Sequence, residues 1–194
     1  GLNKLIISLD GMDQKIYSEY RISGDVKDVL SGIRNVSEAI RRNSSKLKLV
    51  IQFLVNRMNE NQIPAVRRFA EEVNASLRLK SMQIINDNAF EKWLPEEKKF
   101  RRYELKGNKY SILSRLPDNC ARMWFNPVIT WDGKVVPCCF DKDAEYVMGD
   151  LRSETFREIW HGNKFREFRL KVLSDRKSIP ICRNCTSGMR DVNF

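Results

Sequence analysis

"KLIISL", residues 4–9, is a nearly continuous apolar run close to the start of the chain. Such a run is expected for a strand buried on both faces of a parallel sheet, where helices cover each side and polar alternation is lost. A short helix is predicted from Asp13, with Ile16, Tyr17 and Tyr20 on one side. Gly24-Asp25 then supplies a turn and an N-cap. The next helix carries Val26, Val29, Leu30, Ile33, Val36 and Ile40 at the spacing of one helical face. "LKLVIQFLV" at 47–55 reads as a second strand. A third helix follows, with Pro64 in its first turn, where a missing N–H costs nothing. Its apolar positions are Ile63, Val66, Phe69, Ala70 and Val73, and "LRLKSM" at 77–82 makes a weaker third strand. This alternation predicts an α/β fold of about three βα units with right-handed crossovers. They make either a partial (β/α) barrel or a small open sheet.

The pattern changes after residue 86. Residues 86–118 are charged and irregular, with aromatics at Phe90, Trp93, Phe100, Tyr103 and Tyr110. Next come "VITW", then Asp132-Gly133, then "KVV". Asp-Gly between β-branched runs predicts a β-hairpin with a type I′ turn, which needs positive φ at both central residues. Two short helices are expected to follow. Ser153 caps the one with Phe156, Ile159 and Trp160, and Asn163 caps the one with Phe165, Phe168, Val172 and Leu173. Trp124, Phe125 and Trp160 are expected to fill a small core. The chain is divided into two domains, 1–105 and 106–194, the second a small cysteine-rich α+β unit.

Composition excludes little. The 194 residues are 42% hydrophobic and 31% charged, ordinary for a globular protein. No apolar run approaches the roughly 18 residues of a bilayer span. With no secretory signal at the start, a soluble, cytoplasmic protein is expected. The chain opens on Gly1 rather than Met, which reads as a piece cut from a longer protein. A net charge of +10 concentrates between Lys98 and Arg122 and along Lys164 to Arg190. Such an excess permits binding of nucleic acid or an acidic peptide, or simply a solvated face. The one histidine, His161, excludes catalysis built on several imidazoles.

The five cysteines, Cys120, Cys138, Cys139, Cys182 and Cys185, all fall in the second domain. An odd number in a cytosolic setting disfavours a disulfide framework. Cys182-Arg-Asn-Cys185 has the C-x-x-C spacing that lets two thiolates converge on one metal or cluster, and Cys120 and the hairpin exit supply two more. All-sulfur coordination fits zinc or an iron–sulfur cluster. Seventeen residues separate Cys120 from the hairpin thiol and 43 separate Cys138 from Cys182. That dispersal favours a bulky cluster held between loops, with zinc left open.

These residues resemble a family. Cys120, twelve residues, Gly133, four residues, Cys138, then Cys182-x-x-Cys185 is similar to the SPASM/twitch type of C-terminal extension in radical S-adenosylmethionine (SAM) enzymes. "WDGKVVPCC", "MGDL" at 148–151, "FREIWHGNKFREFR" at 156–169 and "ICRNC" agree with it. "IISLDG" at 6–11 with "YSEYR" at 17–21 is similar to the fourth-strand signature of the radical SAM barrel, and "NRMN" at 56–59 to its fifth-strand end. The family's C-x-x-x-C-x-x-C loop and first barrel strands are missing from these residues. The resemblance therefore implies the C-terminal part of such an enzyme, with one auxiliary [4Fe–4S] cluster.

The resemblance implies Cys120, Cys138, Cys182 and Cys185 as cluster ligands. It places Ser8 and Asp10 near the SAM ribose, Arg21 against the methionine carboxylate, and Asn56 at a strand end where barrel active sites are built. Neighbouring strand residues point to opposite faces, so Cys139 is expected to face away from the cluster and pack as a small apolar group.

The expected function is an oxidoreductase or maturase acting on a peptide or protein and served by an electron donor. The piece itself is expected not to cleave SAM. The rival is a zinc-stabilised four-cysteine binding module contacting RNA or an acidic partner through the basic stretch near 98–122. An incomplete barrel leaves edges uncovered, so a homodimer is expected through residues near 2–9 or the 26–40 helix.

Overall fold

Three strands lie side by side in the first part of the chain, β1 (Lys4–Ser8), β2 (Lys48–Val55) and β3 (Ser76–Ser81). The sheet order is β1-β2-β3 and both pairings are parallel, with Leu5 opposite Leu49 and Val50 opposite Ser76. Helices α1 (Gln14–Tyr20) and α2 (Val26–Arg42) connect the first two strands, and α3 (Ile63–Glu72) connects the second and third. This computed structural model describes residues 1–185, in two compact units: Gly1–Ser111, and a second that starts at Ile112. The expected end of the second domain at 194, and Arg190 in the basic stretch, lie outside the described residues.

Burial in the first unit follows position in the sheet. The central strand β2 buries Leu49, Val50, Ile51, Phe53 and Val55. The edge strand β1 does not hide both faces as its composition predicts, for Ile6 stays 44% exposed. An apolar run reports what a strand is suited to, whereas its neighbours decide what is covered. The α2 stripe from Val26 to Ile40, the α3 residues Ile63, Val66, Phe69 and Ala70, and Val73 at the C-terminal cap of α3 all join one core. Asp13 caps α1 by accepting from the Ile16 N–H (2.9 Å), and Asp25 caps α2 by accepting from the Lys27 N–H (2.8 Å).

Beyond β3 a short helix α4 (Phe90–Trp93) and strands β4 (Tyr103–Lys106) and β5 (Lys109–Ile112) organise the aromatic stretch. Phe90 stacks on Tyr110 with ring centroids 4.0 Å apart and meets Tyr103 edge-on at 4.9 Å. The Tyr103 hydroxyl accepts from the Ile84 N–H at 2.9 Å, so the buried ring keeps its polar end satisfied.

The second unit comprises α5 (Arg122–Phe125), strands β6 (Val128–Ile129), β7 (Lys134–Val136) and β8 (Gly149–Asp150), and helices α6 (Phe156–His161), α7 (Asn163–Asp175) and α8 (Pro180–Arg183). The strands pair antiparallel in the order β6-β7-β8. The hairpin turn is not type I′. Only Gly133 has positive φ (86°), and Asp132 does not. The Gly133 N–H donates to the Thr130 carbonyl and the Thr130 N–H to the Lys134 carbonyl. That makes a three-residue loop closed by a left-handed glycine, which needs positive φ at one position rather than two.

Two caps also differ from expectation. Thr155, not Ser153, caps α6, because Glu158 completes a capping box with it. Ser153 instead turns its hydroxyl to the Asp150 carbonyl. Gly162 caps α7 and Asn163 is its first residue. The core of this unit gathers Met123, Val135, Met148, Ile159, Phe165, Phe168, Val172 and Ile179. Trp160 packs against that core, but Trp124 and Phe125 are exposed (43% and 78%), because the short α5 turns them outward. No helix among the described residues is long and apolar enough to cross a membrane.

Candidate metal centre

Four thiols of the second unit line one pocket. Cys120 arrives on the loop before α5, Cys138 just past β7, and Cys182 and Cys185 within and just after α8. Pro137 follows the last residue of β7 and swings the chain off the ladder. Pro180 starts α8, and the Cys185 N–H donates to the Cys182 carbonyl (3.1 Å), holding both thiols of the C-x-x-C on one turn. Cys138, Cys182 and Cys185 are buried, Cys120 is half-buried, and none of the five cysteines is in a disulfide.

Cys139 is the exception. It is exposed, does not line the pocket, and has the Arg122 Nη1 3.6 Å from its Sγ. It does not pack as a small apolar group. The pair lies in the bend beyond β7 rather than within it, so strand alternation does not govern where the side chains go.

Burial governs the pocket electrostatically. It pushes the Cys138 thiol up to about 11, against hydrogen bonds from the Phe140 and Asp141 backbone N–H groups that pull the other way. Burial likewise pushes Cys182 to about 11, with the Arg176 guanidinium opposing it. A metal or cluster that takes the thiolates reverses this penalty by replacing protons with a cationic centre. Among the described residues no three His, Cys, Asp or Glu groups close up tightly enough to hold a single ion. The four thiols line the same small pocket.

Two side chains not foreseen from the sequence support this pocket. The Asp141 carboxylate is buried and accepts from the Glu145 and Tyr146 N–H groups (2.8 and 2.9 Å), fixing the loop after Cys139. Arg176 is 1% exposed and lines the pocket beside the cysteines. Its Nη1 donates to the Pro117 and Asn119 carbonyls (3.3 and 2.8 Å), while Nε and Nη2 meet no partner among the described residues. A buried guanidinium left partly unsatisfied beside four thiols fits an anionic, all-sulfur group.

In the first unit, Asp10, Arg21 and Asn56 are brought into one hydrogen-bonded network past the ends of β1 and β2. Asp10 is 2% exposed; its carboxylate takes Arg21 Nε and Nη2 at 2.7 Å and the Leu54 N–H at 3.3 Å. Burial works against the Arg21 charge, but the Asp10 hydrogen bond and attraction outweigh it and hold its pKa above the ordinary value. Asn59, also missed from the sequence, joins the network. Its Nδ2 donates to the Asp10 and Leu54 carbonyls, and its Oδ1 accepts from the Asn56 N–H (2.8 Å). Its only signal in the sequence was its place in "NRMN". Ser8 is half-buried at the end of β1, opposite Gln52.

Comparison with known proteins bears on these sites. Residues 120–186 match the SPASM family, an iron–sulfur cluster-binding domain. Over 82 residues the chain is 33% identical to the S-adenosyl-L-methionine-dependent 2-deoxy-scyllo-inosamine dehydrogenase of Niallia circulans, a match covering 41% of this chain and 30% of that protein. Over 144 residues it is 28% identical to a probable GTP 3',8-cyclase of Pyrococcus horikoshii, covering 70% of this chain and 42% of the cyclase. The chain thus spans less than half the length of either relative. Among solved structures, BtrN in complex with AdoMet and 2-DOIA aligns over 84% of this chain and 68% of its own at 17% identity, with a TM-score of 0.34.

Proposed function

With residues 120–186 matching the SPASM iron–sulfur cluster-binding domain, and the chain resembling the C-terminal portion of a radical SAM enzyme, we propose that the second unit holds one auxiliary [4Fe–4S] cluster. In this reading the protein is the later part of a radical SAM oxidoreductase or maturase that modifies a peptide or protein. The observation that carries it is the presence of Cys120, Cys138, Cys182 and Cys185 in one pocket, with the Arg176 cation among them. The parallel sheet β1-β2-β3 is then three consecutive strands of a partial (β/α) barrel.

Each residue has a task within this reading. The four thiols, once deprotonated, hold the cluster. Such a centre, each of its irons held by a thiolate, would supply one-electron chemistry. Asp10, buried and fixed by Arg21, the Leu54 N–H and Asn59, lies near where SAM's ribose is received, together with Ser8 and Asn56. Arg21 is 42% exposed, so part of its guanidinium remains available to the methionine carboxylate while it anchors Asp10. An electron donor serves the whole enzyme, which is placed in the cytoplasm.

Anaerobic reconstitution with iron and sulfide tests the proposal. The expected result is four irons and four sulfides per chain, about one cubane, with no 5′-deoxyadenosine formed from SAM by these residues alone. Zinc taken up without iron or sulfide overturns it in favour of a four-cysteine zinc binding module.

A further inference from the structure

Arg176 stands out among the buried groups of the second unit. A guanidinium carries five N–H donors. Its Nη1 is used on the Pro117 and Asn119 carbonyls, directly ahead of Cys120, and its own backbone N–H donates to the Asp118 carboxylate (2.8 Å). The Nε and Nη2 donors close no hydrogen bond among the described residues; the guanidinium acts instead on the Cys182 sulfur, by its charge and a hydrogen-bonding pull. The side chain is 1% exposed, lines the cysteine pocket, and lies near enough to Cys182 for its charge to act on that sulfur.

A comparison within the same unit sharpens the point. Arg169 is also buried, and its Nε and Nη2 are likewise unpartnered. Its charge, however, sits among the rings of Trp124, Trp160 and Phe165, at 4.7, 4.3 and 4.7 Å, and its Nη1 donates to the Trp160 carbonyl. Aromatic faces compensate that cation. No ring is stacked on Arg176 among the described residues. What faces it is the sulfur-lined pocket.

We propose that Arg176 is a positioning and potential-setting residue of the cysteine centre: its Nε and Nη2 donate to the sulfur atoms of the bound cluster, while its Nη1 fixes the loop that presents Cys120. This rests on the iron–sulfur reading of the pocket. Four thiolates outweigh the positive charge of a cubane core, so the assembly is anionic and supplies the counter-charge that the protein lacks. Hydrogen bonds to cluster sulfurs and nearby positive charge favour the reduced, more negative state, which raises the reduction potential. One residue thereby ties the Cys120 loop to the Cys182–Cys185 turn and sets how readily the centre accepts an electron.

The test compares the chain with its Arg176→Gln and Arg176→Lys variants, each reconstituted anaerobically with iron and sulfide. Metal content is measured first, and the midpoint potential then follows from an EPR-monitored redox titration. Arg176→Gln is expected to shift the one-electron equilibrium at least tenfold toward the oxidised cluster, about 59 mV, with Arg176→Lys recovering part of the shift. A purely structural role would lower cluster content yet leave the potential of the remaining clusters unmoved, and that result overturns the proposal.

Should the variants fail to fold, the Arg122→Gln protein, which lacks the other arginine lining the pocket, is labelled with 15N-arginine. Its reduced cluster is expected to show a resolved coupling to arginine nitrogen, and absence of that coupling overturns the proposal. Uptake of zinc alone removes the iron–sulfur reading and this inference together. An iron–sulfur centre with an unmoved potential removes this inference only.

Discussion

At the scale of single residues, two adjacent thiols have different fates. Cys138 is buried in the pocket and Cys139 is exposed outside it. Cys138→Ser is expected to abolish most iron uptake in reconstitution, whereas Cys139→Ser leaves the iron and sulfide content within error of the parent. Equal losses in both variants would show that Cys139 can reach the centre. The sequence separated the two only through the spacing from Gly133, since two neighbouring cysteines are chemically alike. Arg176 had no sequence signal at all. One arginine among many reads as surface charge until the chain folds over it and withholds both water and a carboxylate.

At the scale of elements, the β6-β7-β8 sheet makes a pH-dependent prediction. The Thr130 hydroxyl, with help from Lys134, holds Asp132 down at about 2, and Arg152 does the same for Asp150. Both sit below the ordinary 3.8. Each therefore contributes stability that is complete above pH 3.8 and is lost as the pH falls from there toward about 2. A Tm series across that window should fall less steeply in the Asp132→Asn, Asp150→Asn double variant than in the parent. Identical slopes would show that these carboxylates do not contribute.

β8 also meets α6 closely, since a Cβ on Gly149 would lie 2.5 Å from Ile159 Cγ1 and 2.8 Å from its Cδ1. Gly149→Ala is expected to cost about 1–3 kcal/mol in urea unfolding, the range for overpacking a filled core. A cost near zero would mean that Ile159 moves aside freely. The glycine of "MGDL" was visible in the sequence, but its reason, the approach of the helix that follows, was not. Helix faces were the most legible elements. The α2 and α3 stripes follow directly from a 3.6-residue period. Turns and caps were less so, because Ser153 and Thr155 are both good caps and Glu158 decides between them.

At the scale of the whole molecule, self-association remains a proposal with structural support. β1 is an edge strand with Ile6 44% exposed, and Leu2 beside it is 64% exposed. An uncovered edge with apolar side chains is a template for pairing. Light scattering is expected to give a dimer that Ile6→Lys converts to monomer, and a parent chain that runs as a monomer at high concentration would count against it.

The sequence by itself determined the alternation of strand and helix, the buried helix faces and the cysteine spacing, because periodicity and ligand type are local properties of the chain. Only the tertiary structure decided which strand stands at the edge, which of two adjacent thiols enters the pocket, and that a charged arginine lies beside them. Those outcomes depend on what distant segments cover, and coverage has no local signature.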